Sequence, residues 1–309
     1  RGKANMKTGK VYLVGAGPGD PGLITVKGLE CIKSADVVIY DYLAHPSLLQ
    51  HASPEAEIIY VGKKGGDHTL PQEEINALIV RQAEKGLVVA RLKGGDPFIF
   101  GRGGEEAEIL KKNNIPFEIV PGIPPAIAAP AYAGIPLTHR KLTSTVAFVT
   151  GHEDPAKEKS SINWSSLADG IGTIVFLMGI KNLPHITGQL IRHGMSPDTP
   201  AALVRWGTTP RQETLTGTLE DIVEKAKSAG MKPPAVFVVG GVVNLRDMLQ
   251  WFENRPLMGK RMIVTRAREQ ASEFADMLAA LGAECVEYPT IKIVPSQDTG
   301  ELDQAIAKM

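Results

Sequence analysis

Short apolar runs alternate with amphipathic segments along the first 120 residues of the chain. The apolar runs predict strands at residues 11–14, 37–40, 58–61, 87–92 and 117–120. Helices are predicted between them at residues 25–34, 73–84 and 105–113. Strands that alternate with helices are typical of a largely parallel sheet. The chain therefore begins with a predicted α/β domain, residues 9–121.

A second alternating series follows the proline-rich break PGIPP (121–125), which is a candidate hinge. It predicts strands at residues 145–150, 173–177, 201–205 and 235–239, and helices near 183–193 and 219–229. The alternating stretch QETLTG (212–217) is consistent with an antiparallel strand. These segments predict a second α/β domain, residues 122–254.

A shorter third segment begins near residue 256. Strands are predicted at residues 260–266 and 285–288, with a helix at 269–281 that Gly282 ends. This partial βαβ unit, residues 259–309, buries too little apolar surface to be stable comfortably by itself.

Composition narrows the class of protein. The 309 residues include 34 basic and 34 acidic side chains, so the net charge is zero and a general nucleic-acid binder is disfavoured. The two cysteines lack partners at metal-ligand spacing, which favours a reducing cytoplasm and disfavours a disulfide framework or a zinc site. No apolar run reaches about 18 residues, so no membrane span is expected.

Two glycine-rich loops follow predicted strands. In VYLVGAGPGD (11–20), Gly15 and Gly17 match the dinucleotide pattern G-x-G-x-x-G, but Asp20 occupies the third glycine position. An acidic side chain there would repel a pyrophosphate. The second loop, KGGDPFIFGRGGEE (93–106), combines glycines with Asp96 and apolar surface. Each loop by itself is consistent with a tight structural turn, but together they favour an adenosine ligand over a dinucleotide.

Candidate catalytic and binding side chains lie near the same predicted edge. Asp41 follows the strand 37–40 and Lys63 follows the strand 58–61, so they are a candidate acid/base pair. Asp41 is equally consistent with a helix cap, and Lys63 with a solvated turn. The basic residues near predicted loops favour a polyanionic small substrate, although each is also consistent with an ordinary charged surface: Arg102, His139, Arg140, Lys141, Arg205 and Arg211.

Long motifs of the chain resemble those of the tetrapyrrole C-methyltransferases. They include VGAGPGDPGLIT, VGKKGGDHTLPQEEIN, RLKGGDPFIFGRGGEE, PAYAGIPLTHR, ALVRWGTTPRQET and VVNLRDMLQWF, within residues 9–253. The resemblance implies two α/β domains with a cleft between them, where S-adenosylmethionine binds and leaves as S-adenosylhomocysteine. It also implies a homodimer and a macrocyclic tetrapyrrole substrate with eight carboxylates, which is methylated twice.

The resemblance assigns roles to particular residues. Asp41 matches the family's proposed proton acceptor and Lys63 its proposed proton donor. The cofactor-binding positions are Pro18, Gly94, Gly95, Asp96, Ile99, Pro124, Pro125, Met178 and Gly207. The expected substrate-binding residues are Arg102, His139 and Arg140. No metal site is expected.

The chain departs from the family's pattern at two places, and its tail resembles a second family. Pro124-Pro125 stands where the family usually has Thr-Ser or Thr-Ala, and Tyr42 stands where it has an arginine, which affects affinity or regiochemistry rather than reaction class. The tail resembles the opening of the uroporphyrinogen-III synthases in the stretch GKRMIVTRAREQASEFADMLAALGAECVEYPTIKI (259–293). This resemblance suggests a natural fusion of a synthase to a methyltransferase, with this chain cut inside the synthase.

Three other functions remain open from the residues. The first is a methyltransferase of the same fold acting on a later corrin intermediate or on a non-tetrapyrrole, against which the motif VVNLRDMLQWF weighs. The second is an NAD-binding oxidoreductase, against which Asp20 weighs. The third is a non-catalytic scaffold, against which the intact GGDP loop weighs.

Overall fold

The computed structural model describes residues 9–62, 70–152, 160–265, 268–291 and 300–308. The chain forms two compact units, Arg1–Glu253 and Asn254–Met309. Within the described residues, the first unit contains two five-stranded sheets and the second a two-stranded sheet. The predicted boundary at residues 121 and 122 falls inside the first unit, between its two sheets.

The first half of the first unit is a parallel sheet with the strand order β3-β2-β4-β1-β5. Its strands are β1 (Lys10–Gly15), β2 (Val37–Tyr40), β3 (Glu57–Tyr60), β4 (Val88–Lys93) and β5 (Phe117–Val120). Its helices are α1 (Val26–Ser34), α2 (Gln72–Glu84) and α3 (Gly103–Lys112). The parallel arrangement predicted from the alternating pattern is confirmed.

Both faces of this sheet are buried, as its continuous apolar strands require. Val37 and Ile39 of β2 pack into one core together with Ile79 of α2. Val38 points to the opposite face and packs in a second core with Ile32 of α1. With both faces covered, the carboxyl edge of the strands is where a ligand can approach.

The second half is a mixed sheet with the strand order β6-β7-β10-β8-β9. Its strands are β6 (Val146–Thr150), β7 (Thr173–Leu177), β8 (Pro200–Arg205), β9 (Glu213–Thr218) and β10 (Ala235–Val239). Its helices are α4 (Pro125–Tyr132), α5 (Trp164–Gly170), α6 (Leu183–Arg192), α7 (Ile222–Ser228) and α8 (Arg246–Leu249). Strands β6 and β7 pair in parallel, whereas β10 is antiparallel to β7 and β8, and β9 is antiparallel to β8. The antiparallel strand predicted near residues 212–217 is therefore confirmed as β9.

Helix α4 occupies the segment that the prolines marked as a break. Pro124 caps the helix and Pro125 is its first residue, where a missing N–H removes no intrahelical hydrogen bond. Ala126 and Ala129 are buried against the second sheet. Pro130 lies inside the helix and forfeits one backbone bond. Apolar burial against the sheet thus outweighs the low helix propensity of this sequence.

The second unit contains β11 (Arg261–Val264), α9 (Arg268–Ala280), β12 (Glu284–Glu287) and α10 (Gly300–Ile306). The two strands pair in parallel, which confirms the predicted βαβ arrangement. Val264 and Ala275 form its small core, while Ile263 and Met277 are exposed. Among the described residues of the whole chain, no helix is long and apolar enough to cross a membrane.

Three glycines bring the backbones after β1, β4 and β5 into direct contact. A Cβ on Gly15 would lie 2.5 Å from the Cα of Gly122, and a Cβ on Gly122 would lie 2.3 Å from the carbonyl oxygen of Gly95. Gly17 and Gly95 also exchange two backbone hydrogen bonds, of 3.2 and 2.7 Å. Both have positive φ angles, +79° and +73°. We call Gly15, Gly95 and Gly122 the glycine junction.

We expect Gly122→Ala to destabilise the protein by about 3 kcal/mol, because the added methyl group would collide with backbone that has no room to move. Urea unfolding followed by circular dichroism measures the loss. Gly188→Ala is the matched control, since a Cβ at this exposed position in α6 meets nothing within 4 Å. The control should gain up to about 1 kcal/mol from helix propensity. Equal stability of Gly122→Ala and the wild type would contradict the junction.

Candidate active site

A cavity of about 700 Å³ lies at the carboxyl edge of the first sheet and is lined by both halves of the first unit. The loops after β1, β2 and β4 form one wall. Helix α4, the end of β7 with the loop that follows it, the loop after β8 and the start of β10 form the other. This volume is within the range of small-molecule sites in proteins. The cavity is therefore the candidate active site.

Seven of the residues expected in the site line this cavity. Met178, which a buried strand end would have placed in the core, is instead 51% exposed and has a positive φ of +58°. The full set that lines the cavity is Pro18, Asp41, Gly94, Gly95, Pro125, Met178 and Gly207.

Six other expected residues are described but do not line the cavity, and their roles stay predictions: Asp96, Ile99, Arg102, Pro124, His139 and Arg140. Lys63, the expected proton donor, lies outside the described residues. The proposed pair of Asp41 and Lys63 therefore stays a prediction as well.

The carboxylate of Asp41 is held from two sides at the end of β2. Its Oδ1 accepts a hydrogen bond from the backbone N–H of Leu43 at 3.1 Å. Its Oδ2 accepts one from Nη2 of Arg91 at 3.2 Å. The alternative of a helix cap is wrong, because His45 caps the short 3₁₀ helix Pro46–His51. Asp41 is 28% exposed at its side chain, so it is oriented and still accessible.

Arg91 connects Asp41 to charged groups in the interior of the first half. Oε1 of Glu106 accepts from Nζ of Lys93 at 2.7 Å and from Nε of Arg91 at 3.4 Å. The side chains of Arg91, Lys93 and Glu106 are 3%, 5% and 0% exposed. Gln72 donates to the same oxygen at 3.1 Å. We call Arg91, Lys93 and Glu106 the buried charge cluster.

Burial makes this cluster costly to break. Burial lowers the pKa of the Lys93 ammonium, and the nearby Arg91 guanidinium lowers it further, while Glu106 opposes both effects. Oε2 of Glu106 is buried and has no hydrogen-bond partner among the described residues. Glu106 is thus the carboxylate that both buried cations share, and Arg91 also pairs with the carboxylate of Asp41 and holds it in place.

The carboxylate of Asp96 accepts hydrogen bonds from backbone N–H groups of the protein itself. Its Oδ1 accepts from the N–H groups of Phe98 and Ile99 at 2.8 and 3.1 Å, and its Oδ2 accepts from Gly122 at 3.0 Å. The residue is 9% exposed. Asp96 therefore shapes the loop after β4 and joins it to the glycine junction.

Asp20, the residue that breaks the dinucleotide pattern, joins the two halves of the unit. Its Oδ2 accepts from the hydroxyl of Tyr132 at 2.7 Å, and its backbone N–H donates to Oγ1 of Thr208 at 3.0 Å. Its Oδ1 accepts from the N–H of Gly22. Both carboxylate oxygens are thus bound within the protein. Sequence carried no signal for this role, because the partners are 112 and 188 residues away.

A second network supports the loop at residues 206–212, which carries the expected cofactor-binding residue Gly207. The N–H of Thr208 donates to Gln212, whose amide donates to Glu253 at 2.9 Å. Arg246 pairs with Glu253 and donates to the carbonyl of Ala133. Arg246 lies in the motif VVNLRDMLQWF and Glu253 directly follows it, so this motif supports the site although none of its residues is among those that line the cavity.

The three expected substrate-binding cations lie elsewhere. Arg102 forms a two-pronged ion pair with Glu105, at 2.8 and 2.6 Å. This pair raises the pKa of Arg102 and lowers that of Glu105. His139 accepts from the N–H of Lys141, in a turn that also holds Arg140.

The chain matches the family Tetrapyrrole (Corrin/Porphyrin) Methylases over residues 10–223. That span exceeds half of the 309 residues. The chain belongs to the tetrapyrrole methylases. Membership of this family decides against the oxidoreductase alternative.

Other tetrapyrrole methylases are similar over most of the chain. The uroporphyrinogen-III C-methyltransferase of Priestia megaterium is 55% identical over 236 residues, 76% of this chain and 99% of that protein. A Thermus thermophilus uroporphyrin-III C-methyl transferase, solved with S-adenyl homocysteine, has a TM-score of 0.66 and 39% identity. The alignment covers 77% of this chain and all of that one.

A longer relative extends beyond this chain. The uroporphyrinogen-III C-methyltransferase of Bacillus subtilis strain 168 is 48% identical over 284 residues, 92% of this chain and 59% of that protein. The chain thus spans about three fifths of its length. Because the alignment is longer than the first unit, it continues into the second. The resemblance of the tail to synthases stays a prediction.

We expect Glu106→Gln to lower the free energy of unfolding by about 3 kcal/mol, because it removes the charge that balances Arg91 and Lys93. Urea unfolding at neutral pH measures this loss. Glu105→Gln is the matched control in the next position, where an exposed ion pair should contribute at most about 1 kcal/mol. Similar losses in the two variants would contradict the cluster.

The difference between Glu106→Gln and the wild type should shrink as the pH rises above neutral. The folded pKa of Lys93 lies below its ordinary value, so the unfolded chain binds more protons in that window and stability rises with pH. Without Glu106 the pKa of Lys93 falls further. The free energy of unfolding of the variant therefore begins to rise at a lower pH than that of the wild type. Repeating the unfolding at about pH 9.5 tests the sign; a growing difference would contradict it.

Proposed function

We propose that this chain transfers two methyl groups from S-adenosylmethionine to uroporphyrinogen III and forms precorrin-2, for sirohaem or cobalamin synthesis. The observation that carries the proposal is the oriented carboxylate of Asp41 in a cavity walled by glycine loops. Support comes from relatives with this named activity that are 48% and 55% identical to the chain.

The residues of the cavity are suited to S-adenosylmethionine. Backbone without side chains lines the wall at Gly94, Gly95 and Gly207, and a Cβ on Gly207 would lie 2.5 Å from the Cβ of Ala129. Pro18 and Met178 add apolar surface for an adenosine or its alkyl chain. Each oxygen of the Asp20 carboxylate already accepts a hydrogen bond from the protein, and Asp20 is not among the described residues that line the cavity. These residues would hold the cofactor.

The cofactor supplies a sulfonium methyl group, which is a strong electrophile. A pyrrole carbon of the substrate is already nucleophilic, so the protein needs to align the reactants and exclude water rather than activate a serine or cysteine. The methylated macrocycle gains a positive charge and then loses a proton. Asp41 stabilises that charge and accepts the proton. We retain Lys63 as the proposed donor on the ground of the family resemblance.

We further propose that the enzyme is a cytoplasmic homodimer, with no nucleic-acid or membrane partner. Neither Cys31 nor Cys285 forms a disulfide, which is consistent with a reducing compartment. The zero net charge is consistent with the absence of a nucleic-acid partner. The homodimer is carried over from the family resemblance, and sedimentation of the purified protein tests it.

The proposed activity is tested by anaerobic incubation of the protein with uroporphyrinogen III and S-adenosylmethionine. We expect a doubly methylated product by mass spectrometry, together with S-adenosylhomocysteine. Methylation of an already methylated precorrin alone would leave the family intact and overturn the substrate. No methylation of either macrocycle would overturn the reaction.

We expect Asp41→Asn to reduce turnover by about 100-fold or more, because the amide keeps the shape of the side chain but accepts no proton. Binding of S-adenosylhomocysteine, measured by calorimetry, should stay within about twofold of the wild type. Asp198→Asn makes the same change at an exposed residue outside the cavity and should leave turnover unchanged. Full turnover by Asp41→Asn would remove this carboxylate from the mechanism.

A further inference from the structure

Two strong cations line the cavity without an ion-pair partner among the described residues. Lys181 follows β7 and Arg211 follows β8, so both belong to the wall from the second half. Both are exposed. Arg205, by contrast, is paired with Glu213, and Arg91 is committed to the buried charge cluster. Lys181 and Arg211 are therefore available to an anionic ligand in the cavity.

Arg211 is positioned by an aromatic ring. Its guanidinium carbon lies 4.6 Å from the centroid of the Trp206 ring. Stacking on an aromatic face orients a guanidinium and leaves the N–H groups at its edge free to bind a carboxylate in two-pronged fashion. Arg211 is thus restrained by the ring, and its guanidinium donates no hydrogen bond to the residues that the structure describes.

The same tryptophan contacts the opposite wall of the cavity. Tyr42 and Trp206 meet edge to face, with ring centroids 6.1 Å apart and an angle of 66°. Tyr42 comes one residue after Asp41 and is 60% exposed. Tyr42, Trp206 and Arg211, which we call the aromatic row, therefore connect the position of the candidate base to an unpaired cation.

The backbone of the loop that carries Trp206 and Arg211 is strained. Trp206 and Thr208 have φ angles of +48° and +71°, which cost free energy for residues other than glycine. Two hydrogen bonds hold the loop in this conformation: Oγ1 of Thr208 accepts from the N–H of Asp20, and the N–H of Thr208 donates to Oε1 of Gln212. A strained loop that is held in place at a cavity, and whose arginine forms no ion pair with any described residue, is consistent with a binding role.

We propose that Arg211 binds an acetate or propionate carboxylate of the macrocyclic substrate, and that Tyr42 and Trp206 contact the pyrrole ring which carries it. This inference rests on the proposed function, since it takes the ligand to be a polycarboxylate tetrapyrrole. It adds Arg211, on the second wall of the cavity, to the substrate-binding residues that the family resemblance predicts: Arg102, His139 and Arg140. Arg211 then determines which macrocycles are accepted, because a substrate without the carboxylate leaves the guanidinium unpaired.

The test compares Arg211→Gln with the wild type and with Arg192→Gln, an exposed arginine at the end of α6 outside the cavity. We expect Arg211→Gln to raise KM for uroporphyrinogen III about tenfold, with kcat changed less than about twofold. Arg211→Lys, which keeps the charge but loses the planar fork, should raise KM about threefold. The affinity for S-adenosylhomocysteine should be unchanged in all variants.

A KM for Arg211→Gln within about twofold of the wild type, or an equal rise in Arg192→Gln, would overturn the proposal. So would weaker binding of S-adenosylhomocysteine in parallel with the rise in KM, because that pattern indicates a damaged fold. Titration with uroporphyrin III, an octacarboxylate, followed by tryptophan fluorescence, separates this inference from the proposed function. If the wild type binds uroporphyrin III about tenfold more tightly than Arg211→Gln, the proposal that Arg211 binds a carboxylate of the macrocycle is supported even without turnover. If the wild type and Arg211→Gln bind alike, or neither binds, the site is wrong.

Discussion

The direct contact of three loop backbones at the glycine junction is the constraint on which the first half of the site depends. Gly15 ends β1, whereas Gly95 and Gly122 follow β4 and β5, and the three backbones approach so closely that no Cβ could be accommodated. Asp96 reinforces the contact by accepting the N–H of Gly122 while it folds its own loop. The loops that carry Pro18 and Gly94 into the cavity therefore start from one rigid point, and their positions follow from the register of β1, β4 and β5.

Two further sets of polar contacts complete the cavity from that point. Asp20 binds Tyr132 and Thr208, and so attaches the first loop to the opposite wall. Arg91 belongs to the buried charge cluster and also donates a hydrogen bond to the carboxylate of Asp41. Buried charges add little net stability when well paired, but they are expensive to disrupt, which makes them effective at fixing geometry. The oriented carboxylate of Asp41 is the product of that arrangement.

The sequence predicted the first sheet well because its strands are buried on both faces and appear as continuous apolar runs. Helix α4 was missed because Pro124, Pro125 and Pro130 argue against a helix locally, whereas the burial of its alanines depends on a sheet formed later in the chain. The mixed order of the second sheet is set by pairings that no local pattern records. In the site, glycine loops and Asp41 were recognisable, but the ties of Asp20 and the stacking of Arg211 on Trp206 depend on tertiary contacts.

Because of the glycine junction, the two walls of the cavity differ in how freely their residues can change during evolution. The wall at the junction is fixed by main-chain atoms, so mutation there can only damage the contact, and any ligand that uses this wall must be retained as the lineage diverges. The facing wall includes the side chains of Lys181, Trp206 and Arg211, which can change without touching the junction. A fold of this kind can acquire a new acceptor molecule while inheriting the old methyl donor unchanged.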